Sequence, residues 1–489
     1  MKQQGVWQES FDFFPHRTIV VQPVEAYFST DAGLLPLGQF DQTLGLTQQF
    51  AEALIDRRQG PALKHSFLEM TRMRVFGILA GYEDQNDHDA LRRDAVFKLI
   101  AGRLPEDAEL ASQPTLSRFE NAIGPASLKN LRKVFVEQFI ASFHKPPRHL
   151  TFDVDCFDDP AHGQQQLIFF HGFYDQYQYL PRVITCAEND QVVMAALLFG
   201  TAPPSLGLVD DLKYLVEQLR EAWPGVQITI RADSGFAVPE VYEGCEQLGI
   251  HYTIGLKMNP VLKRQSDPLL AEAVACYEQS GRPQRRFTAF PYQAGSWPEA
   301  RFVVVKVEVN ALGSNRRAVV TNRPGGPVLP EATYDEYAQR GESENRNKEL
   351  KCSLHADRLS DHRFMANYFR LYLHCLAANL LARVRALVAD PPPPDPPSDL
   401  PIEALAGRER KRHFNRRRQA DPLGRGHAQT WRLRLIKVAA QITVSVRRVW
   451  VQLTGSWPFL HHYRQVSAAV NAFCSALSQG DCPLAIDSG

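Results

Sequence analysis

Apolar residues at spacings of three and four dominate the first part of the chain, up to about residue 145. Clear examples are the stretches 44–54, 66–80 and 126–143. Because an α-helix completes a turn in about 3.6 residues, this spacing predicts a mostly helical N-terminal region. The pattern changes at His149, where LTFDVDCF alternates apolar and polar residues as a β-strand does. Its apolar residues share one face, and Asp153 and Asp155 lie on the other.

Further strands and helices follow in an order that indicates a fold class. QLIFFHGFY and RVITCAE are strand-like, and an amphipathic helix runs from Val209 to Trp223. The strand VQITIRAD then leads into a turn, a short helix lies between Pro239 and Gly249, and HYTIGLK is a last strand. The order of three strands, helix, strand, helix, strand predicts an α/β protein with a ribonuclease-H-like mixed sheet and flanking helices.

That fold places one carboxylate on its first strand and another just after its fourth strand. Asp155 and Asp233 stand at those two positions. Between Lys257 and residue 330 lie too many residues for a plain loop, and they include strand-like RRFTAFPY, ARFVVVKVEVN and RRAVVTN. We therefore expect a β-rich insertion that interrupts the catalytic domain.

These patterns divide the chain into six segments. The proline run from Pro391 to Asp399 is expected to be a stiff, extended spacer, and a basic run, RERKRHFNRRR, follows it. The expected segments are a helical N-terminal region (1–145), the first part of the catalytic domain (146–257), the β-rich insertion (258–330), the end of the catalytic domain (331–390), a proline-rich linker (391–400) and a basic C-terminal region (401–489).

Composition narrows the classes of protein. The chain has 489 residues, 44% of them apolar, which is ample for packed cores in about two to four domains. A net charge of +1 argues against a uniformly basic protein, so any nucleic-acid surface has to be local. The eight cysteines form no CxxC pairs, the start does not resemble a signal peptide, and the apolar run around 192–199 is too short to span a bilayer. We expect a cytoplasmic protein without membrane contact.

Four residues near two-thirds of the chain indicate its chemistry: Tyr337, Arg340, Glu344 and Lys351. At about 100° per residue, one α-helix would place all four within a sector of about 60°. A carboxylate, two cations and a phenol on one face form poor core material but a suitable surface for phosphate and a metal ion. With the upstream aspartates, they point to metal-dependent phosphodiester chemistry on DNA.

Such chemistry needs a neutralised phosphate, an activated nucleophile and a stabilised leaving oxygen. Two divalent ions about 4 Å apart supply all three, and carboxylates are the ligands that Mg²⁺ or Mn²⁺ prefers. On the expected fold Asp155 would bridge the two ions, and Asp233 and Glu344 would each hold one. The remaining residues of the helix face would bind DNA phosphates.

Each of these residues also has a structural interpretation. Asp153 shares the face of Asp155 and is an alternative ligand. An aspartate at a strand end, such as Asp233, is commonly a turn or cap residue. Glu344 and Lys351, with their charged neighbours, also fit a solvated helix face with ion pairs three and four residues apart. The basic run fits either a solvated stretch or contact with the DNA backbone.

The spacing Tyr337, two residues, Arg340, three residues, Glu344, six residues, Lys351 resembles the Y-R-E-K signature of the DDE transposases of bacterial insertion sequences. The segments GYEDQNDHDALRRD, DVDCFDDPAHGQQ and RADSGF are also similar to one branch of that group, and the resemblance spans about residues 14–455. It implies a catalytic triad, Asp155–Asp233–Glu344, and a DNA-binding N-terminal region. It also implies that a homodimer binds and cuts the terminal inverted repeats of an element.

The first motif departs from the resemblance, because the wider group commonly has Asp-x-Thr where this chain has Asp155-Cys156-Phe157. Trp297 is the candidate for a tryptophan that stacks on a flipped base in some relatives, although a packed core residue is the other interpretation. Three functions remain open: a transposase, a nuclease on the same fold that only hydrolyses, and a catalytically decayed DNA-binding regulator.

Overall fold

A computed structural model describes residues 7–58, 63–390 and 407–479 of the chain. The N-terminal part begins with three short strands, which the apolar spacing does not predict. The helices that it does predict follow them. The strands are β1 (Glu9–Phe11), β2 (Ile19–Val21) and β3 (Tyr27–Ser29), and the helices are α1 (Leu34–Leu44), α2 (Leu46–Glu52), α3 (Phe67–Ala80), α4 (His88–Leu91), α5 (Ala95–Ala101), α6 (Gln113–Asn121) and α7 (Pro125–Ile140). The N-cap residue of α6 is Ser112.

The central element is a ten-stranded mixed sheet. Its first seven strands and two helices are β4 (His149–Cys156), β5 (Asp159–Pro160), β6 (Phe169–His171), β7 (Gln176–Cys186), β8 (Val192–Phe199), α8 (Leu208–Ala222), β9 (Gln227–Ala232), α9 (Pro239–Gln247) and β10 (His251–Leu256). Strands β4, β9 and β10 are parallel neighbours, whereas β7 pairs antiparallel with β4. Parallel strands end at the same edge of a sheet, so the residues that follow β4, β9 and β10 meet there.

Local sequence explains these elements. Leu150, Phe152 and Val154 of β4 are fully buried against the apolar face of α8, as their alternation predicts. Helix α8 buries the apolar residues at spacings of three and four that face the sheet, and Pro239 occupies the first turn of α9, where its missing N–H costs nothing.

The insertion extends the central sheet. It contains α10 (Pro260–Ser280), β11 (Gln284–Tyr292), β12 (Arg301–Asn310) and β13 (Gly313–Thr321), and β13 pairs antiparallel with β10. The three strands were predicted from the sequence, but the 21-residue helix α10 was not. Pro268 lies inside α10, and a proline inside a helical pattern normally argues for a break.

The chain after the insertion forms α11 (Pro330–Ala338), α12 (Gly341–Lys348), a π-helical turn (Glu349–Ser353) and α13 (Phe364–Val388). Helix α13 is long and apolar enough to cross a membrane by length and composition alone, but 78% of its most apolar window is buried inside the protein. It packs against the N-terminal helices and β8, which is typical of a core helix. The proline-rich linker lies outside the described residues.

The last described part joins the N-terminal region in one core. It comprises α14 (Gly407–Ala420), α15 (Ala428–Trp431), a π-helical turn (Arg432–Ile436), β14 (Ala440–Ser445), β15 (Arg448–Leu453) and α16 (Leu460–Ser478). Strand β14 pairs antiparallel with β3, and Phe473 of α16 contacts Phe40 of α1 at 5.2 Å between ring centroids. A Cβ on Gly33 would lie 1.8 Å from the carbonyl oxygen of Leu435, so the backbone before α1 is in close contact with the π-helical turn Arg432–Ile436.

Candidate functional site

Two aspartates lie at the shared edge of β4 and β9. Asp155 is the last residue but one of β4, and Asp233 directly follows β9. The Oδ1 atom of Asp233 accepts a hydrogen bond of 2.8 Å from the Gly235 N–H and so caps a short 3₁₀ turn. Asp233 is therefore both a cap residue and part of a carboxylate pair.

Asp155 is a buried carboxylate with few partners. Its Oδ1 accepts a 2.9 Å hydrogen bond from the Cys156 N–H, and its Oδ2 lies 2.9 Å from Nη2 of Arg340 and 3.2 Å from Oγ of Ser343. Burial raises the pKa of Asp155 to about 6, Arg340 lowers it, and the nearby charge of Asp233 raises it. The site thus holds negative charge that its protein surroundings do not fully balance.

Asp153, two residues earlier on the same face, has a different environment. Its two oxygens lie 2.7 and 2.9 Å from the guanidinium of Arg231, and Oδ2 also lies 2.9 Å from Nη1 of Arg346. No part of its side chain is exposed. Asp153 therefore ties β4 to β9 and to α12 through buried ion pairs.

The segment that carries the four signature residues is not one continuous helix, so that prediction is wrong. Between α11 and α12 the backbone bonds shorten to i→i+3: the N–H groups of Arg340, Glu342 and Ser343 donate to the carbonyls three residues before them at 2.8–3.0 Å. Gly341 lies at this junction, and glycine is unfavourable in the interior of a helix. The four residues consequently occupy α11, the junction, α12 and the π-helical turn.

The break directs Tyr337 and Arg340 toward the aspartates. The Tyr337 hydroxyl lies over Gly255 of β10, where a Cβ would come within 2.6 Å of it. Burial raises the pKa of Tyr337, Arg340 lowers it, and Asp233 and Asp155 raise it, so this phenol lies within the field of both carboxylates. Gly255 is the residue that leaves room for the ring at the site.

Glu344 is placed differently from the two aspartates. Its side chain is 74% exposed, and its Oε1 lies 3.9 Å from Nη1 of Arg340, the residue whose other amino group contacts Asp155. The Arg340 guanidinium therefore lies between the two carboxylates. Among the residues that the structure describes, no group of three or more His, Cys, Asp or Glu side chains is arranged to hold a metal ion.

Lys351 lies beside an aspartate that sequence reasoning did not single out. Its Nζ is 2.5 Å from Oδ1 of Asp158, whose Oδ2 accepts a 3.1 Å hydrogen bond from Gln176. Burial raises the pKa of Asp158, but the hydrogen bond and the charge of Lys351 lower it, and the net pKa lies below the usual value. The acidic run in DVDCFDDP was the available signal, although the partner of Asp158 is a distant residue.

Trp297, the candidate for stacking on a flipped base, has a structural role. It is only 6% exposed and contacts the rings of Tyr242 and Tyr292 at 5.2 and 5.4 Å between centroids, so it is a packed core residue. In α6, Asn121 donates a hydrogen bond of 2.8 Å to Asp361, and Arg118 faces solvent.

The basic run forms α14, next to the helix that carries Glu344. A cleft of about 440 Å³ is lined by Asn345 and Arg346 of α12 on one side and by Arg417 and Arg418 of α14 on the other. Acidic side chains, among them Asp190 and Glu342, line the same cleft, and Arg346 is paired with Asp153 and Asp190. The local positive charge of this cleft is therefore that of α14.

A comparison of the sequence with known families assigns the chain to one of them. The family model for "Transposase DDE domain group 1" matches residues 14–392, most of the chain, and the chain therefore belongs to the DDE transposase family. Membership implies, in general, a metal-dependent enzyme that cleaves DNA, and the family typically uses divalent metal ions. No curated protein sequence matches the chain. The family match ends before α14, short of the span of about 14–455 that the resemblance suggests.

Proposed function

We propose that the protein is a DNA transposase of a bacterial insertion sequence, active in the cytoplasm. It binds the terminal inverted repeats of its element, cleaves DNA by metal-dependent phosphodiester hydrolysis and joins the 3′ hydroxyl ends to target DNA. The observation that carries this proposal is the pair Asp155 and Asp233 at one sheet edge, beneath Arg340. Apart from the short strands β5 and β6, the elements follow one another as β4, β7, β8, α8, β9, α9 and β10, and this order supports a ribonuclease-H-like catalytic domain.

Asp155, and not Asp153, is the metal ligand in this proposal. Both oxygens of Asp153 are already engaged by the guanidinium groups of the buried Arg231 and the partly buried Arg346, and a divalent ion would have to displace them. Asp155 has a single cationic partner and a raised pKa, so an added cation would relieve its unfavourable charge. The missing threonine of the first motif leaves this argument unchanged, because it depends on the partners of each carboxylate.

Glu344 supplies the third carboxylate. The position of the Arg340 guanidinium between Asp155 and Glu344 supports a site for positive charge there. Three carboxylates are a hard oxygen donor set that fits Mg²⁺ or Mn²⁺. The Glu344 side chain is 74% exposed, so packing inside the protein does not fix its orientation.

The chemistry is divided between the ions and the protein. Two divalent ions, when bound, activate the attacking oxygen and stabilise the leaving oxygen. Arg340 and Lys351 bind phosphates next to the scissile bond, Arg340 through two parallel hydrogen bonds and Lys351 as a point charge. The Tyr337 hydroxyl donates a hydrogen bond to a phosphate oxygen, and its raised pKa keeps the hydroxyl proton in place.

The DNA contacts extend beyond the catalytic residues. The helical region 1–145 and the basic helix α14 are the proposed surfaces for the inverted repeats and the flanking double-stranded DNA. The resemblance supports a homodimer in the DNA complex, with each copy acting on one end.

The test uses purified protein, its own element-end DNA, and Mg²⁺ or Mn²⁺. We expect wild type to cut at the element end only with metal, and Asp233→Asn and Glu344→Gln to bind the DNA without cutting it. Matched controls are Asp210→Asn, an exposed aspartate on α8, and Glu342→Gln, two residues from Glu344 on the same helix. Both controls should cut like wild type.

Joining of the cut 3′ end to a second DNA separates a transposase from a nuclease that only hydrolyses. Cleavage without joining would favour the nuclease. Binding without cleavage in either metal would favour a catalytically decayed regulator and would refute the proposal.

A further inference from the structure

Residues 7–28 form an arm on the surface of the protein, and we call this segment the N-terminal arm. Every residue of the arm is exposed except Ile19, which is half-buried. Strands β1 and β2 of the arm pair with each other and belong to no larger sheet. A two-stranded hairpin alone is at best marginally stable in water, so we expect another surface to cover this one.

The arm is rich in large apolar side chains. Phe13 and Phe14, on the turn between β1 and β2, are 78% and 56% exposed. Single exposed apolar residues are normal on a protein surface, but a contiguous exposed group marks an interaction surface. Other exposed apolar residues of the arm include Trp7, Phe11, Val20 and Val24.

A groove lies beside the base of the arm, along the hairpin of β14 and β15. Strand β3, where the arm ends, is one edge of the three-stranded sheet that contains this hairpin, and β15 is the other edge. The groove has a volume of about 1160 Å³, and its lining includes Tyr27, Leu104, Ile442 and Val444. Small-molecule pockets measure roughly 300 to 1,000 Å³, so this open groove fits a polypeptide segment better than a small ligand.

The charges of the arm and of the hairpin are opposite. The arm has three carboxylates and one arginine, a net charge of −2: Glu9, Asp12, Glu25 and Arg17. The hairpin, residues 440–453, has Arg447 and Arg448 and no carboxylate, a net charge of +2. Within the part of the chain that the structure describes, none of these side chains forms an ion pair. The groove lining also includes Glu25 and Glu106, so its positive charge is confined to the turn of the hairpin.

A second copy of the chain fits the arm better than DNA does. Phosphates would repel the net negative charge of the arm. An aromatic side chain buries roughly 150 to 250 Å² when it is covered, so the exposed rings of two arms reach the area of a standard protein interface, about 1,600 Å² in total. Because each copy has both an arm and a groove, a two-fold axis would pair both arms with both grooves.

We propose that the N-terminal arm of one copy docks into the groove of a second copy, and that the second arm makes the same contact in return. Phe13 and Phe14 enter the groove, and Asp12 lies near Arg447 and Arg448 of the second copy. This inference deepens the proposed function, on whose homodimer it rests, by naming the surface through which the two copies meet. The dimer forms before DNA binds.

The first test is sedimentation of the full chain at several concentrations, without DNA or metal. Wild type should be a dimer. Phe13→Ser combined with Phe14→Ser should raise the dissociation constant of the dimer at least about tenfold, because buried aromatic anchors dominate the energy of an interface. Phe173→Ser replaces an 84% exposed ring on the turn after β6 and is the matched control, which should sediment as wild type. Circular dichroism should be the same for all three proteins, since the substituted rings are exposed.

An exchange of charges tests whether the contact is made between copies. One variant has Glu9→Arg and Asp12→Arg in the arm, and the other has Arg447→Glu and Arg448→Glu in the hairpin. Each variant alone should be a monomer, because like charges meet at both contacts. A mixture of the two should form dimers with one chain of each kind, because opposite charges then meet at both contacts.

Wild type that stays a monomer would overturn the inference. So would a double phenylalanine variant that sediments as wild type, and weaker binding of element-end DNA by that variant would then assign the arm to DNA. Charge variants that fail to pair in the mixture would show that the arm contacts its own chain. Each of these failures would leave the proposed function standing, because sedimentation requires neither metal nor cleavage. A wild-type dimer that binds no element-end DNA would instead count against the proposed function alone.

Discussion

Asp153 and Asp155 lie two residues apart on one face of β4, yet their replacement by asparagine should have opposite effects on stability. Asp153→Asn removes the carboxylate that compensates the buried Arg231 and one of the two carboxylates paired with Arg346, which keeps Asp190. Breaking a buried ion pair by removing one partner costs about 3 to 5 kcal/mol. We therefore expect Asp153→Asn to lower the free energy of unfolding by about that amount.

Asp155→Asn should instead raise the free energy of unfolding. Its pKa is raised from 3.8 to about 6, and each pKa unit corresponds to about 1.4 kcal/mol, so its ionised form costs the folded protein about 3 kcal/mol. Below about pH 4 the carboxyl is protonated in both states and costs nothing. Between about pH 4 and 6 the unfolded chain ionises first, so stability falls as the pH rises, and above pH 6 the cost is constant.

The assay is urea unfolding of wild type and both variants at pH 8 and at about pH 4, without divalent metal. At pH 8, Asp155→Asn should unfold at higher urea than wild type, and the difference should shrink at pH 4. Asp210→Asn is the control for a surface aspartate. Destabilisation by Asp155→Asn at pH 8 as large as that by Asp153→Asn would refute the assignment of structural and functional roles.

Three further predictions concern the signature residues. Gly255→Ala should displace the Tyr337 ring from the site, because the added Cβ would lie 2.6 Å from the Tyr337 hydroxyl. We expect DNA cleavage to fall at least about tenfold while circular dichroism shows normal folding. Unchanged cleavage would remove Tyr337 from the proposed machinery. Arg340→Lys, measured in the same cleavage assay, should also be defective, since a single ammonium cannot replace two guanidinium contacts; full activity would contradict a bidentate role. Lys351→Ala should weaken DNA binding and reduce the slope of log affinity against log salt by about one, whereas a larger reduction with the exposed Lys348→Ala would indicate that the phosphate contact is elsewhere.

Alternation and helical spacing are local signals, and from them the sequence pattern predicts β4, β7, α8, β9, α9 and β10 around the carboxylates. The pattern does not predict the strand β8, and QLIFFHGFY contains only the three-residue strand β6 rather than a full strand. Leu150, Phe152 and Val154 are buried as the alternation of β4 requires. The same alternation places Asp153 and Asp155 on one face but does not separate their roles. That difference depends on Arg231, which lies opposite Asp153 in the parallel register with β9, and on Arg346, which is 193 residues away in the chain. Such non-local partners leave no pattern along the sequence.

The irregular helical segments were the least predictable. Four residues with helical spacing suggest one straight helix, but i→i+3 bonds near Gly341 and a π-helical turn at Glu349–Ser353 redirect the chain. These bends let Arg340 reach Asp155 while Lys351 reaches Asp158. Helix α10 was not predicted from the sequence. It contains Pro268, and a proline normally breaks a helix, but this one is accommodated on a mostly exposed helix.

The central claim is that Asp155, Asp233 and Glu344 together hold the catalytic metal ions. Its most direct test is the titration of Mn²⁺, followed by electron paramagnetic resonance, into the protein bound to uncleaved element-end DNA. The account predicts two bound ions per chain in wild type and in Glu342→Gln, and weaker or incomplete binding in Asp155→Asn, Asp233→Asn and Glu344→Gln. Wild-type Mn²⁺ affinity and stoichiometry in the three triad variants would contradict it.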